Sequence, residues 1–202
     1  LDGLFLAGLG AVVEFSGGTA TYTALTRLTG AGQYRLTGGT LVGLLDYLPN
    51  LSLVGGSVGL SPNYQTNGTI ERLDLDGATL LGENHVTGVL NWNSGVAISS
   101  SSSLTVQSGG VLHLATGTTK YCDGALTNHG VVNWTGGVCY LRNNNAGYKG
   151  RVVNLGLWEM QGDLALEPYY SNGLEIFSNG GIFRKASGAG TGKFNVVLDN
   201  QF

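Results

Sequence analysis

A glycine followed by a short run of strand-forming residues recurs along this chain, and that recurrence limits its fold more than any other feature. The runs read "GVLNW" from residue 88, "GVLHL" from 110, "GVVNW" from 130, "GLWEM" from 156 and "GIFRK" from 181. Towards the N-terminus the match weakens but persists, with "GAVVEF" from 10, "GQYRLTGG" from 32, "NLSLVGG" from 50 and "GTIERLDL" from 68. Read from the N-terminus, the steps between successive starts are 22, 18, 18, 20, 22, 20, 26 and 25. Nine units of roughly 21 residues therefore follow one another, a period in the range of solenoid repeats. Within a unit the pattern has period two. Leu90 and Trp92, Leu112 and Leu114, Val132 and Trp134, and Trp158 and Met160 occupy equivalent apolar positions. Asn91, His113, Asn133, Glu159 and Arg184 occupy the position between them. Alternation of this kind sends one set of side chains inside a sheet and the other to solvent. No 3.6-residue apolar period competes with it.

A unit of this length cannot bury its apolar side alone, whereas stacked units can. The sequence therefore predicts an all-β chain. It would be a single-stranded β-solenoid, a right-handed parallel β-helix of about nine coils, forming one domain over residues 1–202. Nine coils at the ~4.8 Å strand spacing make a rod of roughly 43 Å. A β-sandwich would also explain turns every 8–12 residues, but not the same side-chain class at the same offset. Glycine at 35 of 202 residues exceeds the usual ~7% and fits a chain full of corners, where glycine reaches positive φ without steric cost. Gly130 is read as turning such a corner. The serines at 99–103 fall where the repeat continues in register and read as a polar corner.

Charge narrows the function classes. The net charge is −3, with 10 Lys and Arg against 13 Asp and Glu and no basic run, so no nucleic-acid footprint is present. No apolar run reaches the ~20 residues of a membrane span. The opening "LDGLFLAGLGAVV" is short, interrupted by glycine and lacks a basic leader, so it does not read as a signal peptide. The start at Leu1 suggests a piece excised from, or belonging to, a longer assembly.

Few side chains suggest chemistry. Asp74 and Asp76 in "LDLDG" lie two apart on one strand face. A pair of carboxylates suits general acid–base work or a hard cation, but the stronger expectation is a solvated strand face with no catalytic residue. His85, His113 and His129 lack the converging partners of a metal site, so no metal and no cofactor is expected. Thr19, Thr21 and Thr23 alternate in the manner of an ice-ordering ladder, but later coils carry other residues at that place. Cys122 and Cys139 are separated by a little less than one coil. Adjacent coils would bring them within disulfide range, with a pair of buried free thiols as the alternative. Tyr148, Tyr169 and Tyr170 sit in the inserts "LRNNNAGYKG" and "LEPYYSNG" that stretch the period to 26 and 25. Loops bulging from a rigid scaffold carry binding functions, so these tyrosines are expected surface contacts, for glycans or for protein.

The stretches "LTRLTGAGQYRLTGGTL" (25–41) and "LTNHGVVNWTGG" (126–137) resemble the repeats of large bacterial surface and secreted proteins. These include autotransporter passenger domains and filamentous-haemagglutinin-like adhesins. The resemblance implies export, a long parent polypeptide and a structural or adhesive role at the cell surface, and it carries over no catalytic residue. The expected function is a non-enzymatic extracellular stalk or filament subunit that stacks end to end, because neither end has the charged character of a cap. A polysaccharide-active enzyme and a carbohydrate-binding module are the alternatives.

Overall fold

The computed structural model describes residues 1–201 and shows a β-solenoid of about nine turns. Each turn has three faces. In a central turn, Ser103–Val106 lies on the first face, Val111–Leu114 on the second and Lys120–Cys122 on the third, and Ala125–Asn128 returns to the first. Every ladder between these strands is parallel, from Gly3–Leu6 against Thr26–Thr29 to Ile176–Asn179 against Val197–Asn200. Nine strands stack on the third face, from Thr19–Thr21 to Lys193–Phe194. The ten-residue strand Glu83–Trp92 covers two faces. Its first half pairs with Ser103–Val106 and its second with Val111–Leu114.

The core is the inside of the tube, and the period-two positions fill it. Leu90, Trp92, Leu112, Leu114, Val132 and Trp134 are fully buried, while Asn91, His113 and Asn133 stack beside one another on the outside. The serine run turns the corner between the third and first faces. The Ser102 amide donates to the Ser99 carbonyl at 3.0 Å, and the Gly82 amide donates to Ser102 Oγ at 3.0 Å.

The recurrent glycine has a different cause from the one its torsional freedom suggests. Gly88, Gly110, Gly130, Gly156 and Gly181 do not have positive φ. Instead, the carbonyl of the preceding coil occupies the place of the missing side chain. A Cβ at Gly130 would stand 2.3 Å from the Gly110 oxygen, and one at Gly156 would stand 2.3 Å from the Gly130 oxygen. Glycine here is required by close backbone approach, coil upon coil.

The first face carries a ladder inside the tube as well. Asn128 Nδ2 donates to Asn154 Oδ1 at 2.8 Å, Asn154 Nδ2 to Asn179 Oδ1 at 2.8 Å, and Asn179 Nδ2 to Asn200 Oδ1 at 3.1 Å. Asn128 and Asn154 are fully buried. Each also bonds backbone: Asn128 Oδ1 accepts from the Gly130 amide, and Asn154 Nδ2 donates to the Ile182 carbonyl. The sequence does carry a signal for this ladder, since Asn128, Asn154 and Asn179 each stand two places before an anchor glycine.

Cys122 and Cys139 lie on adjacent coils, but they do not form the expected disulfide. The register sets Cys139 beside Lys120 and Cys122 beside Leu141, and both thiols are free and buried. A two-residue offset on neighbouring parallel strands separates their Cα atoms by roughly 8 Å, beyond the span a bridge tolerates. Lys120, fully buried beside them, directs Nζ to the carbonyls of Thr118 at 2.9 Å, Gly136 at 3.2 Å and Thr116 at 3.3 Å.

Burial lowers the pKa of Lys120 and raises those of both thiols, that of Cys139 to about 12. The folded chain therefore keeps thiol protons that the unfolded chain releases near pH 9. Their stabilising contribution is complete below that pH and is lost as the pH rises through the raised folded values, for Cys139 between about 9 and about 12. Cys139 costs roughly 1.4 kcal/mol per pH unit in that window. Lys120 acts in the opposite sense, because burial penalises its charged form and that cost to the folded chain is relieved as the pH approaches 10.5. Denaturant titrations between pH 8 and 11 are expected to show falling stability that flattens in a Cys122→Ala/Cys139→Ala variant. An unchanged slope in that variant would remove the thiols as its source.

Candidate functional site

Both long inserts leave the tube at the same corner, between the third and first faces. Residues 142–150 follow the strand Cys139–Leu141, and residues 169–175 follow Ala165–Pro168 one coil further on. Asn172 Nδ2 donates to the Asn143 carbonyl at 2.9 Å and ties the second insert to the first. The tyrosines of these inserts meet two tyrosines of the third face. Tyr121 and Tyr140 are register partners on its outer side, and their rings stack at 5.7 Å. Tyr169 stands edge-on to both, at 6.1 and 6.0 Å. Tyr170 stands edge-on to Tyr169 at 5.0 Å, and Tyr148 packs on Tyr170 at 5.9 Å. Five of the nine tyrosines thus form one cluster.

Arg142 is its centre. The guanidinium lies 4.6 Å from the Tyr121 ring, 4.7 Å from that of Tyr148 and 5.6 Å from that of Tyr169. Its Nε and Nη2 both donate to the Asp123 carboxylate, which is buried under the corner. A two-point arginine–carboxylate pair fixes the plane of the guanidinium, and ring faces within ~6 Å of that cation are attracted to it. The pair therefore orients the cluster and nearly cancels its charge. The outermost rings remain open to solvent, with Tyr169 50% and Tyr170 38% exposed.

A cleft of about 450 Å³ opens at the second insert, lined by Glu167, Gly173, Glu175, Asn195 and the residues on either side of the Tyr169–Tyr170 pair, Pro168 and Ser171. Glu167 occupies the place next to Tyr140 in the outer column, and its carboxylate accepts from Asn195 Nδ2 at 2.8 Å. Glu175 is buried and accepts from the Tyr170 amide at 2.8 Å, which holds the second insert in its loop shape.

The other candidates from the sequence lie elsewhere. Asp74 and Asp76 are on the outside of the second face, each held by the asparagine of the next coil. Asn91 Nδ2 donates to Asp74 Oδ1 at 2.5 Å, and Asn93 Nδ2 to Asp76 Oδ1 at 2.6 Å. The Tyr47 hydroxyl donates to Asp74 Oδ2 at 3.1 Å. Partial burial and then that bond raise the Tyr47 pKa, so the phenol stays a donor. His113 stands in the outer column between Asn91 and Asn133, His85 meets Gln107 at 3.1 Å, and His129 is exposed. Among the described residues no three His, Cys, Asp or Glu side chains converge as metal ligands, and no helix is long and apolar enough to cross a membrane.

Tyr148, Tyr169 and Tyr170 stand out in the sequence because the inserts break the period. Arg142 and Asp123 are not, since their pairing depends on how two coils stack. No protein-family model matches this chain, and neither a curated protein nor a solved structure does.

Proposed function

We propose that this chain is a non-enzymatic stalk or filament segment of an exported bacterial surface protein, an adhesin-type rod whose coils continue end to end. The observation that carries this reading is the open C-terminal coil. Phe183, Phe194, Val196 and Leu198 line a hollow of about 600 Å³ there, and Leu198, in an inward register position beside Phe177, is 54% exposed. The asparagine ladder reaches Asn200, which passes no hydrogen bond on to another described residue. At the other end, Leu4, Leu6 and Leu9 are also exposed. Unpaired strand edges beside apolar side chains are templates for further pairing.

The ends also match in charge. Glu14 pairs with Arg35, and Glu159 with Arg184, at the same outward place on the second face. A second copy laid with Val12–Phe15 over Ile182–Ser187 sets Glu14 against Arg184 and continues the alternation. Gly3–Leu6 and Val197–Asn200 both belong to the first face, so one of these strands must yield its place at such a joint. Occupation of Asp74 and Asp76 by neighbouring asparagines and Tyr47 supports the non-enzymatic reading.

Light scattering and electron microscopy of the purified chain test the assembly. Rods longer than the ~43 Å of nine coils are expected, shortened by Arg184→Glu. A monodisperse monomer at tens of micromolar overturns end-to-end stacking.

A further inference from the structure

We infer that the tyrosine cluster and the cleft beside it form a binding site for a neutral oligosaccharide. The inserts at 142–150 and 169–175 add residues to two coils without adding a strand to any ladder. What they add is Tyr148, Tyr169 and Tyr170, packed on Tyr121 and Tyr140 around one arginine. None of these five rings belongs to the apolar core inside the tube. A chain that needed only to turn this corner does so elsewhere in four residues, at Ser99–Ser102.

The chemistry on offer has two parts. Rigid aromatic rings with one side open provide a platform for the C–H face of a sugar ring, with a polar hydroxyl at the rim. Next to the platform, Glu167, Glu175, Asn195 and Ser171 line a cleft of about 450 Å³. That lies within the usual volume of a small-ligand site, and its carboxylate and amide oxygens accept hydrogen bonds from hydroxyl groups. A flat protein contact would make less use of a polar recess. The charge selects within the class. Asp123 neutralises Arg142, and two carboxylates stand at the cleft, so an acidic sugar meets repulsion and a neutral one does not. The site is preorganised, because the Arg142–Asp123 pair and the Asn172–Asn143 bond hold both inserts without a ligand.

The site is distinct from the open ends, and its test is independent of stacking. The intact chain and its Arg184→Glu variant are run through native gels containing a soluble neutral polysaccharide (a mixed-linkage β-glucan, a galactomannan or a xyloglucan) or an acidic one (polygalacturonate or alginate). Retardation by at least one neutral polymer and by neither acidic polymer is expected, in both proteins alike. Tyr169→Ala/Tyr170→Ala is expected to weaken it tenfold or more, while Tyr47→Ala, distant from the cluster, leaves it unchanged. An unaltered far-ultraviolet spectrum and melting temperature show that the double variant is folded. Three results overturn the inference. They are no retardation by any neutral polymer, retardation by acidic polymers, and self-association that the double variant abolishes without any glycan effect, which would make the cluster a protein contact.

Discussion

Replacing Gly130 by alanine is expected to destabilise the chain by about 3 kcal/mol or more, although the change adds one methyl group. The new Cβ would lie 2.3 Å from the Gly110 carbonyl oxygen and 2.4 Å from that of Gln107. Both are backbone atoms of the corner between Ser103–Val106 and Val111–Leu114, and both already accept backbone hydrogen bonds, the Gly110 oxygen from the Val131 amide at 3.0 Å and the Gln107 oxygen from the Gly110 amide at 2.8 Å, so neither swings aside as the tip of a side chain would. The coil must lift from its neighbour, and the ladders between Val111–Leu114 and Val131–Trp134 and between Ser103–Val106 and Ala125–Asn128 stretch with it. Gly117→Ala is the control. Nothing lies within 4 Å of a Cβ there and its φ is not positive, so its effect should stay within about 0.5 kcal/mol. Chemical denaturation of the two variants decides the matter, and equal effects would show that glycine serves these corners only through its flexibility.

Trp134→Ala is expected to cost about 3–5 kcal/mol. The indole is fully buried between Leu114 and Met160 in the inner column of the second face. Its Nε1 donates to the carbonyls of Gly136 and Gly137, both at 3.1 Å, so the ring fills the tube and closes the corner to the third face. Trp158 separates these two roles. It is equally buried and packs edge-on to Phe177 at 5.1 Å, but its Nε1 has no hydrogen-bond partner among the described residues. Trp134→Phe should therefore be more harmful than Trp158→Phe, by roughly the 0.5–1.5 kcal/mol of a net hydrogen bond, because the Gly136 carbonyl keeps its bond from Lys120 while Trp158→Phe removes a buried donor that has no partner among the described residues. A solenoid is held by nearest-neighbour contacts, so hydrogen exchange in Trp134→Ala should quicken first in the coils on either side of residue 134. Uniform loss of protection along the whole rod would contradict this.

The inner and outer columns can be read directly from the chain. Leu112 and Leu114 are inside and His113 outside because side chains alternate along any strand, and that alternation needs no knowledge of the neighbouring coil. The stacking of like positions is equally accessible, since Leu112 meets Leu90 on one side and Val132 on the other through a constant offset from glycine. The thiols show where such reading stops. A separation of a little under one coil suggests adjacency, but the third-face strands start at different distances from the anchor, and the resulting register pairs Cys139 with Lys120. An offset of two places is invisible in the spacing and decisive for a bond.

The candidate site divides in the same way. Tyr148, Tyr169 and Tyr170 stand out because they interrupt the period. Tyr121 and Tyr140 belong to regular strands and give no local sign of joining them. Lys120 has the sequence character of an exposed residue and is instead enclosed by three carbonyls.

The solenoid, its number of coils and the buried side of the second-face strands from Glu83–Trp92 to Leu157–Gln161 are thus written in the chain alone. They follow from a period, and a period is a local property repeated. Only the assembled coils settle why the anchor must be glycine, that the cysteines stay apart, that Asn128, Asn154, Asn179 and Asn200 bond in a line, and that five tyrosines gather round Arg142. Each of these depends on the register and the ~4.8 Å approach of one coil to the next. A carbonyl from the coil below takes the place of a side chain only once both coils are in position.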